Sequence, residues 1–206
     1  MKEFSIVTSI SLPWRRESVQ NLAAATQTSA PPLASPGTDA QLVARLESGE
    51  NDALSLVYNR HAPALFRVLS AILGDAADAE DALQETFVAL ATTRASKIRD
   101  LRAYLLGAAR NQAFSILRRR KRENGWEDVS ELEIAAPENA ESPHDFAALL
   151  AKLPLEQREV IALKVWEGLT FAEIAIIVKV SPNTVMSRYR YGIERLRAWC
   201  REDFDE

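Results

Sequence analysis

Apolar residues recur at helical spacing along almost the whole of this 206-residue chain after residue 37, and the alternating runs that indicate strands are few. Ala, Leu, Glu and Arg are abundant whereas Gly occurs only seven times, a composition that favours helix over strand. With 47% apolar residues the chain can bury a core, and its length permits one domain or two. We therefore predict an all-α protein.

Helix-start signals divide the N-terminal half into four helices. Residues 1–37 are rich in Ser, Thr, Ala and Pro, which indicates a disordered leader. Thr38 and Gln41 form a capping box that begins the first helix, and Asp100 can cap the fourth. Pro63 should kink or split the second helix. The second to fourth helices are predicted over residues 52–73, 77–92 and 100–122.

Charge is strongly segregated along the chain, although the net charge is only -4. Residues 94–122 contain ten basic residues against Asp100 alone, a balance of +9. Residues 123–145 contain eight acidic residues and no Lys or Arg, a balance of -8. Gly125 and Pro137 also lie in the acidic stretch. This pattern predicts a basic surface, then an acidic linker over residues 123–141, and hence two small domains.

The second domain, residues 142–202, carries the pattern of a helix-turn-helix. A short helix preceded by a capping box, a turn at residues 178–181 and a longer helix running to about residue 201 have the lengths of that motif, whose second helix enters the DNA major groove. Helix starts in this domain are predicted at Ser142-Pro143, at Pro154, at the Thr170 and Glu173 capping box, and at Ser181-Pro182.

The outward face of the last helix is the candidate DNA-reading surface. Val185, Gly192 and Leu196 fall within the inward stripe. Asn and Arg can bond base edges, while Ser, Thr and Tyr can reach phosphates or bases. A solvated polar helix face is the alternative interpretation. The candidate DNA contacts are Asn183, Ser187, Arg190 and Tyr191, with Thr184 and Arg188 at the flanks.

Several other functional classes lack their usual residues. Cys200 is the single cysteine and His61 and His144 are far apart, so neither an internal disulfide, a metal site nor a cofactor is expected. No apolar run is long enough to span a membrane, and no direct membrane insertion is expected. A reducing cytoplasm fits this cysteine usage.

Two pairs of sequence segments resemble a known family. LPLEQREVIALKVWEGLTFAEIA at 153–175 and SPNTVMSRYRYGIERLR at 181–197 resemble the fourth conserved region of bacterial sigma factors. ILGDAADAEDALQETFVAL at 72–90 and AYLLGAARNQAFSILRRRKR at 103–122 resemble their second region. Nothing matches the first or third regions of housekeeping sigma factors, so the chain is most similar to the extracytoplasmic-function (ECF) branch.

The resemblance implies a non-catalytic factor that directs core RNA polymerase to specific promoters. It implies a four-helix second-region bundle over residues 38–122 and a fourth-region helix-turn-helix domain over residues 142–202. The former would bind the β′ clamp helices of the polymerase and the minus-ten element. The latter would bind the β flap and the minus-thirty-five element. An anti-sigma factor is a further possible partner.

The resemblance also assigns residues of the second-region match. Those implied for binding the β′ clamp helices are Asp81, Gln84, Glu85 and Val88. Those implied near the minus-ten element are Arg110, Asn111, Arg118, Arg119 and Arg120. An ordinary solvated acidic face and a solubilising basic helix end are the respective alternatives.

Three features depart from the family pattern. The loop at residues 92–100 is short and contains no aromatic residue, so Tyr104 and Phe114 are the remaining candidates for stacking on a base, although aromatic residues at this spacing are more often core. Lys179 stands in the turn where relatives usually have Gly, which predicts a residue held at positive φ. Met186 stands where a basic residue is usual.

Two other functions would account for parts of the sequence. A metal-dependent phosphoryl-transfer enzyme could use the acidic cluster around Asp78 and Asp81, but helical spacing spreads these side chains around the axis and no Gly-rich phosphate loop lies nearby. A helix-turn-helix regulator acting without polymerase would explain residues 153–201, would bind a palindromic site as a dimer, and leaves the second-region match unexplained.

Overall fold

The computed structural model describes residues 37–124 and 146–202, and over these residues the chain forms α-helices with no strand. This confirms the all-α prediction. A 3-10 turn at Ala95–Lys97 joins the third and fourth helices. The helices are α1 (Asp39–Glu47), α2 (Ala53–Leu73), α3 (Ala76–Thr92), α4 (Leu101–Asn124), α5 (Phe146–Ala151), α6 (Leu155–Val165), α7 (Phe171–Val178) and α8 (Pro182–Glu202).

Side-chain capping explains where three of the first four helices begin, namely α1, α3 and α4; Asp52, at the start of α2, makes no such bond. The backbone N–H of Thr38 donates to the side chain of Gln41 at 2.7 Å, and the Thr38 hydroxyl accepts from the Gln41 backbone, so the predicted capping box is present. The Asp75 carboxylate accepts from the N–H of Asp78 at 2.8 Å, and Asp100 accepts from Ala103 at 2.9 Å. Each side chain satisfies an N–H that the helix itself leaves unpaired.

Helix α2 is continuous through Pro63, so the alternative of a split helix is wrong. Pro63 has no N–H to give to the carbonyl of Asn59, and both residues are exposed, so water can solvate that carbonyl. Buried side chains on either side, including Val57, Leu65 and Leu69, hold the helix against the core. Packing therefore outweighs the lost hydrogen bond.

Helices α1 to α4 form the N-terminal bundle. The buried side chains of α3 include Ala79, Leu83, Thr86 and Leu90, and the hydroxyl of Thr86 is satisfied by donating to the Ala82 carbonyl at 2.7 Å. In α4, Leu101, Leu105 and Ile116 are buried, whereas Ala108 is only half-buried. Ala109, Ala113 and Leu117 follow Leu105 at spacings of four residues and complete the buried stripe of α4.

Helices α5 to α8 form the C-terminal bundle. Helix α6 is buried on most of its circumference, with seven of its eleven residues in the interior. Helix α8 lies so close to α6 that a Cβ added to Gly192 would come within 2.6 Å of Ile161 Cδ1. Because only Gly fits there without displacement, the sequence fixes the contact between the two helices.

The two bundles pack together as one compact unit. Helix α2 lies against α6, and α4 lies against α7. Three predicted features lie outside the described residues: the leader up to residue 36, most of the acidic linker, and the helix start at Ser142-Pro143. Helix α4 extends to Asn124, past the predicted start of the linker at residue 123. Within the described ranges, no helix is long and apolar enough to cross a membrane.

Candidate polymerase and nucleic-acid interfaces

The outward face of α3 is acidic with one apolar side chain. Asp81, Gln84, Glu85 and Val88 are all exposed, and 50% of Val88 is accessible to solvent. Spacings of three or four residues place the four side chains on one face, opposite the buried stripe that anchors the helix. The face offers two carboxylates and an amide followed by an apolar side chain at its C-terminal end, which suits a partner with basic side chains beside an apolar contact.

The helix-turn-helix begins with the predicted capping box. The Glu173 carboxylate accepts from the Thr170 hydroxyl at 2.6 Å and from its backbone N–H at 2.7 Å. These two hydrogen bonds lower the pKa of Glu173, the hydroxyl contributing more. At the other end of α7, Lys179 adopts φ 59, the predicted left-handed conformation. The Ser181 hydroxyl then accepts from the N–H of Thr184 at 3.1 Å and starts α8.

Four of the six candidates on α8 face outward. Asn183, Ser187, Arg190 and Tyr191 are exposed, and the Arg190 guanidinium carbon lies 4.9 Å from the centre of the Tyr191 ring. Arg190 Nε is 3.9 Å from a carboxylate oxygen of Glu194 one turn later. The exposed strip combines an amide, a hydroxyl and a guanidinium, which can reach base edges and phosphates in a groove.

The other two candidates on α8 form contacts within the protein. The Thr184 hydroxyl lies 2.9 Å from that of Ser181. Arg188 Nη2 lies 2.7 Å from the Glu156 carboxylate, and only 19% of its side chain is exposed. Met186 is half exposed on this helix and has no charge to offer a phosphate.

The α4 residues predicted near the minus-ten element divide into an exposed set and a set bound within the protein. Asn111, Arg118 and Arg119 are exposed. Arg120 pairs with Asp78 and donates to the Leu73 carbonyl at 3.3 Å, tying the end of α4 to the start of α3. Of these four predicted residues, the three exposed ones are open to a nucleic acid in this arrangement.

Arg110, also predicted near the minus-ten element, points toward the C-terminal bundle. Its Nε lies 2.5 Å from Glu159 Oε1, and 18% of its side chain is exposed. Its guanidinium carbon lies 4.1 Å from the centre of the Phe114 ring. Arg110 is therefore occupied by a carboxyl group of α6.

Tyr104 and Phe114 are partly buried and pack against the core, as expected for aromatic residues at this spacing. The Thr93 hydroxyl donates to the Ala89 carbonyl at 2.7 Å, so the Tyr104 hydroxyl donates to Thr93 in the 2.8 Å contact between them. This hydrogen bond ties the loop after α3 to α4.

A second group of charged side chains, absent from the sequence predictions, lies between the bundles. Only 4% of the Glu167 side chain is exposed. Its carboxylate lies 2.9 Å from Arg102 Nη2 and 3.5 Å from Arg67 Nη2. The backbone carbonyl of Glu167 also accepts a hydrogen bond from Arg102. Arg158, fully buried, donates to the carbonyls of Leu153 at 2.7 Å and Ala71 at 3.3 Å.

Burial alters the acid-base properties of two of these groups. It lowers the pKa of Arg158 to about 10, so this side chain is still protonated at neutral pH. Burial raises the pKa of Glu159 above its ordinary value, against the opposing attraction of Arg110. A sequence signal was available: Arg158 and Glu159 share the helical stripes of Leu155, Ala162 and Leu163, where a charged residue must be buried if the stripe is.

No cluster of three or more His, Cys, Asp or Glu side chains able to hold a metal ion occurs within residues 37–124 and 146–202.

Comparison with protein families gives two matches, in the order expected from the sequence. The family described as Sigma-70 region 2 matches residues 57–123, and that described as Sigma-70, region 4 matches residues 144–196. The RNA polymerase sigma factor CarQ of Myxococcus xanthus is 29% identical over 74% of this chain and 92% of its own. The ECF RNA polymerase sigma factor SigL of Mycobacterium tuberculosis is 31% identical over 75% of this chain and 93% of its own.

Solved structures give the same relationship. The structure of CnrH in complex with the cytosolic domain of CnrY matches with a TM-score of 0.61 and 26% identity, over 80% of this chain and 98% of that one. The sigma factor RpoE in complex with the anti-sigma factor NepR, from Bartonella quintana, matches with a TM-score of 0.60 and 25% identity, over 73% of this chain and 98% of that one.

Proposed function

This chain belongs to the ECF RNA polymerase sigma factors, and from that premise we propose how its surfaces share the work of promoter-specific initiation. The N-terminal bundle binds the β′ clamp helices of core polymerase through the outward face of α3, and the C-terminal bundle binds the β flap. The protein acts in the cytoplasm by binding, without a catalytic step of its own. The observation that carries the proposal is the exposed acidic face of α3, which runs from Asp81 to the exposed Val88.

Promoter DNA is read at two places. Near the minus-ten element we assign the exposed Asn111, Arg118 and Arg119, with Arg110 joining them once it leaves Glu159. Arg120, tied to Asp78, acts by positioning the end of α4.

The minus-thirty-five element is read by the outward strip of α8, namely Asn183, Ser187, Arg190 and Tyr191. Arg188 and Thr184 support this strip from its flanks through the contacts with Glu156 and Ser181. Asn183 sits in the first turn of α8, where a recognition helix contacts base edges.

An anti-sigma factor is a proposed regulatory partner. RpoE of Bartonella quintana is in complex with the anti-sigma factor NepR, and CnrH is in complex with the cytosolic domain of CnrY. A regulator using the helix-turn-helix alone is less well supported, because residues 57–123 match a sigma-factor region that it does not require.

The test is run-off transcription with bacterial core polymerase on a pool of genomic promoter fragments, with and without the protein. Defined transcripts should appear only with the protein, and Asp81→Lys with Glu85→Lys should abolish them by reversing the charge of the α3 face. The control is Glu47→Lys, an exposed acidic residue of α1, which should transcribe normally. A protein that neither binds core polymerase nor redirects it, and instead retains a palindromic duplex as a dimer, would refute the proposal.

A further inference from the structure

The charged contacts between the bundles involve the same helix that carries the proposed minus-ten contacts. Arg102 and Arg110 lie on α4, and Arg67 lies on α2. Their partners, Glu159 and Glu167, lie on α6 and just after it. Each ion pair therefore joins a basic side chain of the N-terminal bundle to an acidic side chain of the C-terminal bundle.

The carboxyl groups of Glu159 and Glu167 bind the arginine guanidinium groups in the way that a phosphate would. A guanidinium recognises planar oxygens of either group through the same N–H donors. Arg110 donates to Glu159 from both Nε and Nη2, at 2.5 Å and 3.4 Å. While those bonds exist, Arg110 cannot donate to DNA.

The contact between the bundles buries charged side chains, and removing them from water costs free energy. Arg158 is fully buried; among the described residues it donates to two backbone carbonyls, and its Nε has no partner there. Glu159 and Glu167 are also largely withdrawn from water. Because buried ions lose much of what they gain by pairing, such a contact is suited to opening and closing.

The closed arrangement is also too small to read both promoter elements. Elements centred about 25 base pairs apart are separated by about 85 Å on straight duplex DNA at 3.4 Å per pair. A compact unit of this chain length has a radius of gyration of about 17 Å. The bundles must therefore separate before both elements can be bound together.

We propose that the contact between the bundles is a self-inhibiting clasp, in which Glu159 and Glu167 hold Arg110, Arg102 and Arg67 until DNA phosphates replace these carboxyl groups. The inference rests on the proposed function, because it regulates the same DNA-binding surface. It assigns to Glu159 and Glu167 a role as intramolecular competitors of promoter DNA. Arg102 and Arg67 become phosphate-binding residues of the open protein.

The clasp is tested on the full chain without polymerase. Glu167→Lys places a third positive charge against Arg67 and Arg102 and should open the protein, which small-angle X-ray scattering records as an increased radius of gyration. Its affinity for a labelled mixed-sequence DNA duplex should rise about tenfold if the closed form holds nine-tenths of the molecules. Glu47→Lys makes the same change in net charge at an exposed site and controls for simple electrostatic attraction.

A charge swap separates opening from misfolding. Arg102→Glu alone should also expand the chain, because it opposes Glu167, and Arg102→Glu combined with Glu167→Lys should restore the wild-type radius. Circular dichroism checks that each variant keeps its helices. If Glu167→Lys folds but has the same radius of gyration and DNA affinity as Glu47→Lys, the clasp is refuted. If Glu167→Lys does not fold, the Arg102→Glu variant decides: a radius of gyration equal to that of wild type refutes the clasp.

These outcomes are distinct from those of the transcription experiment. A clasp without function would give Glu167-dependent compaction in a protein that never redirects core polymerase. A sigma factor without a clasp would initiate transcription while Glu167→Lys left its radius and DNA affinity at the values of the control.

Discussion

Arg158 Nη1 donates a hydrogen bond to the Ala71 carbonyl oxygen at 3.3 Å, although the two residues are 87 positions apart in the chain. Ala71 lies in the last turn of α2, whose carbonyls have no helical partner, and a cation is favourable at that end of a helix. The guanidinium also reaches the Leu153 carbonyl at 2.7 Å, before α6 begins. One buried side chain thus satisfies backbone groups of both bundles.

Replacing Arg158 by Ala should lower the free energy of unfolding by about 2 to 4 kcal/mol, because it leaves a cavity and removes both hydrogen bonds. Arg158→Met should lose much less, since it fills most of the space and removes a buried charge. Urea denaturation measures both variants. Equal losses would show that the charge, and not the volume, is what the interior requires.

Gly192 should be intolerant of any side chain. Gly192→Val should reduce the free energy of unfolding by about 1 to 3 kcal/mol, because its Cβ would overlap Ile161 Cδ1 and force α8 away from α6. Combining it with Ile161→Ala should recover part of the loss in a double-mutant cycle. Gly107→Ala in α4 is the contrasting variant, since an added Cβ there meets nothing within 4 Å. It should stabilise the protein by about 0.5 to 1 kcal/mol.

Lys179→Gly should stabilise the helix-turn-helix by about 0.5 to 1 kcal/mol, because Lys179 holds φ 59 without the freedom of glycine. Lys179→Ala removes the charge but keeps the Cβ, so it should not stabilise. The measurement is the shift of the urea midpoint. A gain with Ala equal to that with Gly would assign the effect to charge.

Stability should depend on pH through Glu159. Because burial raises its pKa, the folded chain holds this proton more tightly than the unfolded chain, so the stabilisation is present below the ordinary pKa and is lost as pH rises through the raised value. Arg110, Arg188 and Glu156 are the charged groups acting on it. The free energy of unfolding of wild type minus that of Glu159→Gln should therefore fall with rising pH. A difference that rises instead would mean that pairing with Arg110 outweighs burial.

Substitutions in the outward strip of α8 should distinguish residues that set sequence specificity from residues that contribute general DNA affinity. With holoenzyme on a cognate promoter, Asn183→Ala should relax preference at one base pair, whereas Arg190→Ala should weaken binding to all sequences and reduce the salt slope by about one. Arg197→Ala, also exposed but two turns later on α8, should leave both unchanged. The measurement is promoter affinity at several salt concentrations, on wild-type and single-substituted promoters.

Most of the helix boundaries and exposed helix faces could be predicted from local signals in the sequence. The side chains of capping residues such as Thr38, Asp100 and Thr170 accept from N–H groups three residues away, so their effect can be predicted from neighbouring positions. The same holds for Lys179, whose backbone conformation follows from its place after a short helix. The exposed faces of α3 and α8 follow from helical periodicity once the helices are placed.

The partners of individual charged residues could not be predicted in this way. Arg110 and Arg120 look alike in a basic run, yet one meets Glu159, 49 residues later, and the other meets Asp78. Glu167 meets Arg102 across 65 residues. Patterns of neighbouring residues cannot predict pairs so far apart in the sequence, because these pairs depend on how the two bundles dock. In addition, a charged residue is usually expected to face water.

The close approach at Gly192 has a consequence for how promoter preference can diverge. The side of α8 that meets α6 has no side chain at position 192, where an added Cβ would overlap Ile161 Cδ1. Asn183, Ser187 and Arg190 point away from that contact and can be exchanged with little change in packing. Under the proposed function, exchanging these residues one at a time changes the DNA sequence that is read, while the contact between α8 and α6 is kept.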